Sequence, residues 1–489
     1  MNGLCYSLSS DRLAKPDAPL VENEKQGQAV EDPAAPHKKK NVFYYAFGEA
    51  GFSAHVSEEA GEVLLGAPGV YSWRGSAVRY RINEAGRLVE MFVARPDTLQ
   101  DYGYFGYSVT AGRFMPGNNR PGRVQYAAGA PRASDTGKVF LFDLADGVAD
   151  SGDGMAVLQE LSGEQLGEYF GAAVLAEDVT GDGLADLLVG APQHTTAEAG
   201  DAGRVYVFLN LGDGQLQRSE SPLSVASREG ESQLPDDSPQ SHGARFGYAL
   251  ASAGDSNEDG YNDVWVGAPY EDDGRGAVYL FLGSPSGLRA AAAQRVAARD
   301  VHRDLRSFGF SMSATADVDG NGYSDLAVGA PLAGHAVVLL ARPTARLTPR
   351  LTASISELSL TATSFVLSVC LQYASRRAQV QAAAAVLLSL EGPSVQLERA
   401  ALQAGGAAGR QLRYTQPLQL GRLACANVTV LIRPGGREGH AMPDYTTPID
   451  ITMRFNLSDE ASRRGASAVT PPTGGHHCDG FRRAAALSL

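Results

Sequence analysis

A nine-residue stretch, Asp317-Val-Asp-Gly-Asn-Gly-Tyr-Ser-Asp325, runs straight into Leu-Ala-Val-Gly-Ala-Pro331, and it narrows what this chain can fold into more than any other feature. Asp317, Asp319, Asn321 and Asp325 put side-chain oxygens at positions 1, 3, 5 and 9, and Gly320 and Gly322 let the backbone curl between them. With the peptide carbonyl of Tyr323 the shell is all oxygen, which suits a hard cation such as Ca²⁺. The unit occurs twice more, as Asp178, Thr180, Asp182, Asp186 with the carbonyl of Leu184, and as Asp255, Asn257, Asp259, Asp263 with the carbonyl of Tyr261. An EF-hand would need a Glu at position 12 and helices on both sides. Position 12 is Val189, Val266 and Val328, each inside a short β-rich run, so each loop joins two strands. A polar hairpin alone would also favour Asp, Asn and Gly, but it does not demand acids at positions 1, 5 or 9 in copy after copy. The expectation is three Ca²⁺ sites.

The loops belong to a longer repeat. Aromatic-Gly pairs stand at Phe105-Gly106, Phe170-Gly171, Phe246-Gly247 and Phe308-Gly309, and Gly-Ala-Pro recurs at 66–68, 129–131, 190–192, 267–269 and 329–331. Aliphatic-aromatic runs such as Lys138 to Phe142, Arg204 to Phe208 and Ala277 to Phe281 complete the units, and a polar insertion from Arg218 to Gly243 lengthens one of them. About four strands per period of roughly 60 residues is the mark of a β-propeller, whose ring closure removes sheet edges. Five units are visible, with one strand of another, Leu4 to Leu8, inside residues 1–13; the polar segment 14–41 reads as an exposed loop.

After Arg342-Pro343 the loops and Gly-Ala-Pro stop. Phe365 to Tyr373 and Ile449 to Leu457 alternate apolar and polar residues, the pattern of half-buried antiparallel strands in a β-sandwich over 343–460. Asn456 shares a face with Asp450, Thr452 and Arg454, so that face is wet. Residues 461–489 have no periodicity and read as disordered, and His476-His477-Cys478 there lacks the frame of a metal site.

Composition removes other classes. A net charge of −13 argues against nucleic acid as a partner. No segment reaches the 18 or so apolar residues of a membrane span, and the N-terminus has no charged and apolar leader. Cys5, Cys370, Cys425 and Cys478 follow no zinc or redox spacing. The sequons at Asn427 and Asn456 fit an exported chain. No His-Glu-x-x-His or Gly-x-Ser-x-Gly occurs, so no catalytic constellation is visible.

The cation loops, the Gly-Ala-Pro runs, and Gly51-Phe-Ser and Trp73-Arg-Gly-Ser resemble the FG-GAP propeller of integrin α subunits, with the invertebrate position-specific type nearest. The resemblance implies an all-β chain: an incomplete seven-bladed propeller followed by an Ig-like sandwich, the family's thigh domain, with Cys370 and Cys425 in place for its long-range disulfide, worth roughly 4 kcal/mol on the loop-entropy account. Against the family pattern, the first blade, most of the second, the leader, the calf domains, the membrane helix and the tail are lacking. The loop from Gly112 to Arg120, which carries a cation in many relatives, has no carboxylate. The residue after each aromatic-Gly pair points to the propeller axis in the family, where aromatics cage a basic side chain of the β subunit; by that match Phe52, Tyr107, Tyr248 and Phe310 are cage residues, and the third blade offers Ala172. Asp101 and Tyr71 match ligand-contacting positions, while His37-Lys-Lys-Lys40 would repel a ligand arginine. The implied function is a non-catalytic adhesion-receptor subunit that pairs with an integrin β subunit at the cell surface and binds a matrix ligand. A propeller-bearing secreted enzyme of the phospholipase D type and a truncated gene product stay open beside it.

Overall fold

The computed structural model describes residues 8–9, 12–13, 27–32, 35–43, 47–57, 61–82, 88–94, 99, 101–116, 124–144, 155–197, 199–212, 214–225, 242–342, 346–355, 359, 362–374, 381–390, 400–404, 406–432 and 449–457. The chain divides into two compact units, Met1–Ala341 and Arg342–Leu489.

The first unit is a succession of antiparallel sheets, each one repeat, and the repeats and sheets together fit a β-propeller. Blade I holds Ser53–Ser57, Glu62–Ala67, Ser76–Ile82 and Leu88–Ala94. Blade II holds Ser108–Gly112, Gln125–Ala130, Lys138–Leu144 and Met155–Ser162. Blade III holds Ala173–Glu177, Asp186–Ala191, Arg204–Asn210 and Leu216–Arg218. Blade IV holds Ala249–Gly254, Asp263–Ala268, Ala277–Phe281 and Gln294–Ala297, and blade V the three strands Ser311–Ala316, Asp325–Ala330 and His335–Leu339.

Second strands such as Gln125–Ala130 and Asp186–Ala191 are buried along their whole length, because a blade packs on each face of them. Apolar clusters straddle neighbouring blades: Leu64 and Ala77 meet Phe105 and Phe140, Leu141 meets Leu187 and Val189, Val205 and Val207 meet Val264 and Tyr279, and Val278 meets Leu326 and Val328. Gly-Ala-Pro has a steric cause at this seam. A Cβ on Gly66, Gly129, Gly190 or Gly267 would lie 1.9, 2.0, 2.1 or 2.2 Å from the carbonyl oxygen of Gly106, Gly171, Gly247 or Gly309 in the next blade. Only a residue without a side chain allows that approach. Ser53 and Ser108 add hydroxyl bonds to the Gly106 and Gly171 carbonyls at 3.0 and 2.7 Å.

Ahead of blade I the structure differs from the expected loop over 14–41. Gly27–Asp32 pairs with Ala35–Phe43 as an antiparallel hairpin. A β-ladder is built from backbone N–H and C=O, so a polar sequence does not forbid it. At residues 1–13 the expected strand Leu4 to Leu8 falls mostly outside the described residues, and a short pair, Leu8–Ser9 with Arg12–Leu13, is formed instead.

In the second unit a five-stranded sheet and a three-stranded sheet share one core. Phe365, Leu367, Val369, Leu371 and Tyr373, alternate residues of Ser364–Ala374, point into it and meet Val386, Leu388, Met453 and Phe455 of the smaller sheet. The apolar stretch from Ala382 to Leu390 is the middle strand of that sheet, paired on both sides. Cys370 and Cys425 lie directly opposite on neighbouring strands and form a disulfide. The expected disordered tail, 461–489, and Cys5 lie outside the described residues.

Candidate functional site

The three Asp-rich loops each connect the first and second strands of blades III, IV and V. In each, the first Asp takes backbone N–H groups on both oxygens: Asp178 from Gly181 and Gly183 (2.7 and 2.8 Å), Asp255 from Asp259 and Gly260 (2.9 and 3.0 Å), Asp317 from Asn321 and Gly322 (2.9 and 2.7 Å). These bonds wind the loop and hold the Asp317 carboxyl below its usual range, the Gly322 N–H contributing most. The last Asp is the first residue of the second strand and acts as a peg. One oxygen accepts from residue 2 of the loop (Val179 3.1, Ser256 3.0, Val318 2.8 Å), and the other from the end of the third strand or just past it (Asn210 2.8, Gly283 2.9, Ala341 2.8 Å). Asp186, Asp263 and Asp325 are buried, and burial pushes Asp186 and Asp263 up to about 6, with neighbouring loop carboxylates adding to the rise.

Donor oxygens converge between these fixed points. Carboxylate oxygens of Asp317, Asp319 and Asp325 lie within 4.8 Å of one another, the one such trio among the described residues. The other loops hold acids at positions 1, 5 and 9, with Thr180 or Asn257 at position 3, and those acids do not close to that distance. In blade III the Thr180 hydroxyl stands at 3.4 Å from Asp178 and 3.3 Å from Asp186, so positions 1, 3 and 9 meet there too. In blade IV Asp255 and Asn257 both accept from the Asp259 N–H, at 2.9 and 3.0 Å. The donor set is all oxygen and rich in carboxylate, which fits a hard divalent cation. Leu184 has no side-chain donor atom, the Tyr261 ring lies against Gly181 of the preceding loop, and the Tyr323 hydroxyl is turned to Glu258 at 2.8 Å, so position 7 offers its backbone carbonyl.

Blades I and II fill the peg position differently. Gln125 begins the second strand of blade II, and its Oε1 accepts from the N–H groups of Phe114 and Met115 at 3.0 and 3.1 Å, while the buried Phe114 ring enters the core shared with blade III. In blade I the buried Glu62 accepts from Arg81 Nε at 2.9 Å and from the hydroxyl of Tyr126, with Arg79 3.9 Å away. The acid-free loop at Gly112 thus has a replacement. The composition signalled its absence but not what took its place.

At the opposite end of the first strands lies a cluster of aromatics. Phe52 and Tyr107 meet as tilted rings at 4.8 Å between centroids, Tyr107 meets Tyr169 at 5.5 Å, and Tyr248 meets Phe310 at 4.7 Å and Tyr270 at 6.1 Å. Burial pushes Tyr107 and Tyr248 up to about 12; for Tyr107 the neighbouring Tyr169 adds to it, for Tyr248 the neighbouring Tyr107. All four sequence candidates therefore have aromatic neighbours, and blade III, where Ala172 offers nothing, contributes Tyr169. Tyr169 precedes Phe170 in a left-handed conformation (φ 65°), as Tyr104 precedes Phe105 (φ 62°), and the Ala172 N–H closes that turn on its carbonyl. An aromatic immediately before Phe-Gly was the missed signal.

Asp101 is half-exposed and already paired with Arg74 Nε at 2.5 Å. Tyr71 lies in a left-handed turn (φ 53°) with Ser72 and Trp73, and its carbonyl accepts from the Arg74 N–H. Asn427 and Asn456 are exposed, and Asp450 and Arg454 share the Asn456 face as expected.

FG-GAP repeats are matched at residues 170–208, 246–281 and 308–340, the three blades with Asp-rich loops. Integrin alpha-PS3 of Drosophila melanogaster is 34% identical over 70% of this chain and 32% of its own length. Integrin alpha-4 of Xenopus laevis is 35% identical over 70% and 29%, and human integrin alpha-11 36% identical over 66% and 25%. This is an integrin alpha-like chain. It spans between a quarter and a third of those relatives' length. A solved endo-arabinase from Bacteroides thetaiotaomicron shares 13% identity at a TM-score of 0.29 over 60% of this chain and 94% of that one, too slight a likeness to bear on fold or activity. In the integrin alpha-like chain no helix among the described residues is long and apolar enough to cross a membrane.

Proposed function

We propose that the chain is part of a non-catalytic adhesion-receptor ectodomain, a cation-braced propeller that pairs with an integrin β subunit at the cell surface and helps bind an extracellular-matrix ligand. Three Ca²⁺ sites are assigned to the loops: Asp178, Thr180, Asp182, Asp186 and the Leu184 carbonyl; Asp255, Asn257, Asp259, Asp263 and the Tyr261 carbonyl; Asp317, Asp319, Asn321, Asp325 and the Tyr323 carbonyl. A bound cation would supply the positive charge that lets converging carboxylates stay ionised in a partly buried place. The chain's own part is to hold the peg carboxylates with two backbone donors each.

The observation that carries the reading is the aromatic cluster. Core packing would have buried all of it, yet Phe52 is 51% exposed with its ring tilted against Tyr107. Such faces suit a basic side chain from a partner. Asp101 and Tyr71 are proposed as ligand contacts; a ligand arginine would have to compete with Arg74 for the carboxylate. Asn427 and Asn456 are proposed glycan sites on wet strand faces.

The test is capture of the full chain on an immobilised integrin β-subunit head. Tyr107→Ala and Tyr248→Ala should each weaken binding at least tenfold, the loss of a desolvated cation–aromatic contact. Equal capture of wild type and both variants would remove the cage from the account.

A further inference from the structure

Neighbouring cation loops touch one another, and they do so in a repeated way. Tyr261, at position 7 of the blade IV loop, lies against Gly181, at position 4 of the blade III loop: a Cβ on Gly181 would stand 3.0 Å from the Tyr261 ring. Tyr323, at position 7 of the blade V loop, donates its hydroxyl to Glu258, at position 4 of the blade IV loop, at 2.8 Å. Asn262, at position 8 of the blade IV loop, donates at 2.6 Å to Glu177, the residue before Asp178.

A backbone relay runs alongside. Asp186 Oδ2 accepts from the Val179 N–H, the Val179 carbonyl accepts from the Ser284 N–H at 3.2 Å, and the preceding Gly283 N–H donates to Asp263 Oδ1. The peg carboxylates of two neighbouring sites are therefore joined through the backbone of Val179 and the consecutive N–H groups of Gly283 and Ser284. Moving either peg moves a hydrogen bond made by the other.

From these contacts we propose that the three sites fill cooperatively: ordering one loop around its cation pre-orders the next, through Asn262–Glu177 and the Ser284 relay between blades III and IV, and through Tyr323–Glu258 between blades IV and V. The inference rests on the three-site reading above. Ordering a loop costs conformational freedom, and a neighbour that has already ordered it raises the affinity of the next ion. Coupling at the low end of the ordinary range gives on the order of fivefold per neighbour.

The experiment is a calorimetric Ca²⁺ titration of the chelator-stripped full chain, with Asn262→Ala and Glu258→Ala beside it and each variant's fold checked by circular dichroism at saturating Ca²⁺. Wild type should bind with a Hill coefficient clearly above 1 and below about 3, the ceiling set by the number of sites, and both variants should keep the stoichiometry but move towards independent binding. Should Asn262→Ala not fold, Asn262→Ser, which also breaks the Glu177 bond, takes its place. Absence of any Ca²⁺ binding would remove the three-site reading itself. Independent binding by wild type, or cooperativity unchanged in both variants, would leave the sites standing and overturn the coupling.

Discussion

Blades I and II solve with their own side chains a problem that blades III to V leave to oxygens alone. In all five, the first residue of the second strand is polar and buried: Glu62, Gln125, Asp186, Asp263 and Asp325. In blades II to V it takes backbone N–H groups from the chain that joins the first two strands, and in blade I it binds Arg81 and the Tyr126 hydroxyl. Blade I brings two guanidinium groups, Arg79 and Arg81, to its carboxylate, and blade II uses a neutral amide with Phe114 wedged beneath. The other three gather carboxylates or hydroxyls with an arginine only at the margin, Arg289 at 3.6 Å from Asp259. One scaffold position thus holds an acid with internal cations, a neutral amide, or an acid among other oxygens, and under the cation-braced proposal the difference should show in how each region responds to chelation.

The largest expected effect is regional. Removing divalent cations should destabilise blades III to V by about 3 kcal/mol for each site held at a hundredfold excess over Kd. Hydrogen exchange should then quicken in Asp186–Ala191, Asp263–Ala268 and Asp325–Ala330 while Glu62–Ala67 and Gln125–Ala130 keep their protection. Uniform loss across all five second strands would erase the distinction.

Next in size is Glu62→Ala. It strands the buried Arg79 without its carboxylate, and breaking a buried ion pair from one side costs about 3–5 kcal/mol. The drop in melting temperature should be the same with Ca²⁺ as with chelator. A drop that Ca²⁺ rescues would mean that blade I too depends on recruited charge. Gln125→Ala should cost less, about 1–3 kcal/mol, the desolvation of the two N–H groups it leaves unmet, and should be equally blind to Ca²⁺.

Much of this architecture could be read from the chain before any coordinates. Gly-Ala-Pro and aromatic-Gly mark the seam because a carbonyl sits where a Cβ would go, a demand that only one residue type meets. The spacing of the oxygen donors is legible because each loop's donors are local in sequence. What escaped was non-local. Tyr126 reaches Glu62 across 64 positions, Asn210 reaches Phe114 across 96, and Tyr169 joins Tyr107 only once two blades are packed. Short fourth strands such as Leu216–Arg218 escaped as well, since three residues carry no period. The hairpin over 27–43 lacks the alternation by which strands are recognised.

The smallest expected effect lies at the other rim and asks whether the contrast between blades stops at the loops. Tyr107 belongs to blade II and Tyr248 to blade IV, one on each side of the divide, and both are raised to about 12 against an ordinary value of 10.0. A phenol whose folded value lies above its unfolded one holds its proton in the native state after the unfolded chain has released it. Its contribution to stability is therefore complete below pH 10 and is lost as the pH rises through 12. Tyr107→Phe and Tyr248→Phe, which have no proton to lose, should each flatten the alkaline fall in stability by a similar amount, and neither should care whether Ca²⁺ is present. If the cations brace only their own ends of blades III to V, the two variants will match with and without chelator. If chelation steepens the alkaline fall for Tyr248 and not for Tyr107, the bracing reaches through blade IV from the cation loops to the aromatic rim.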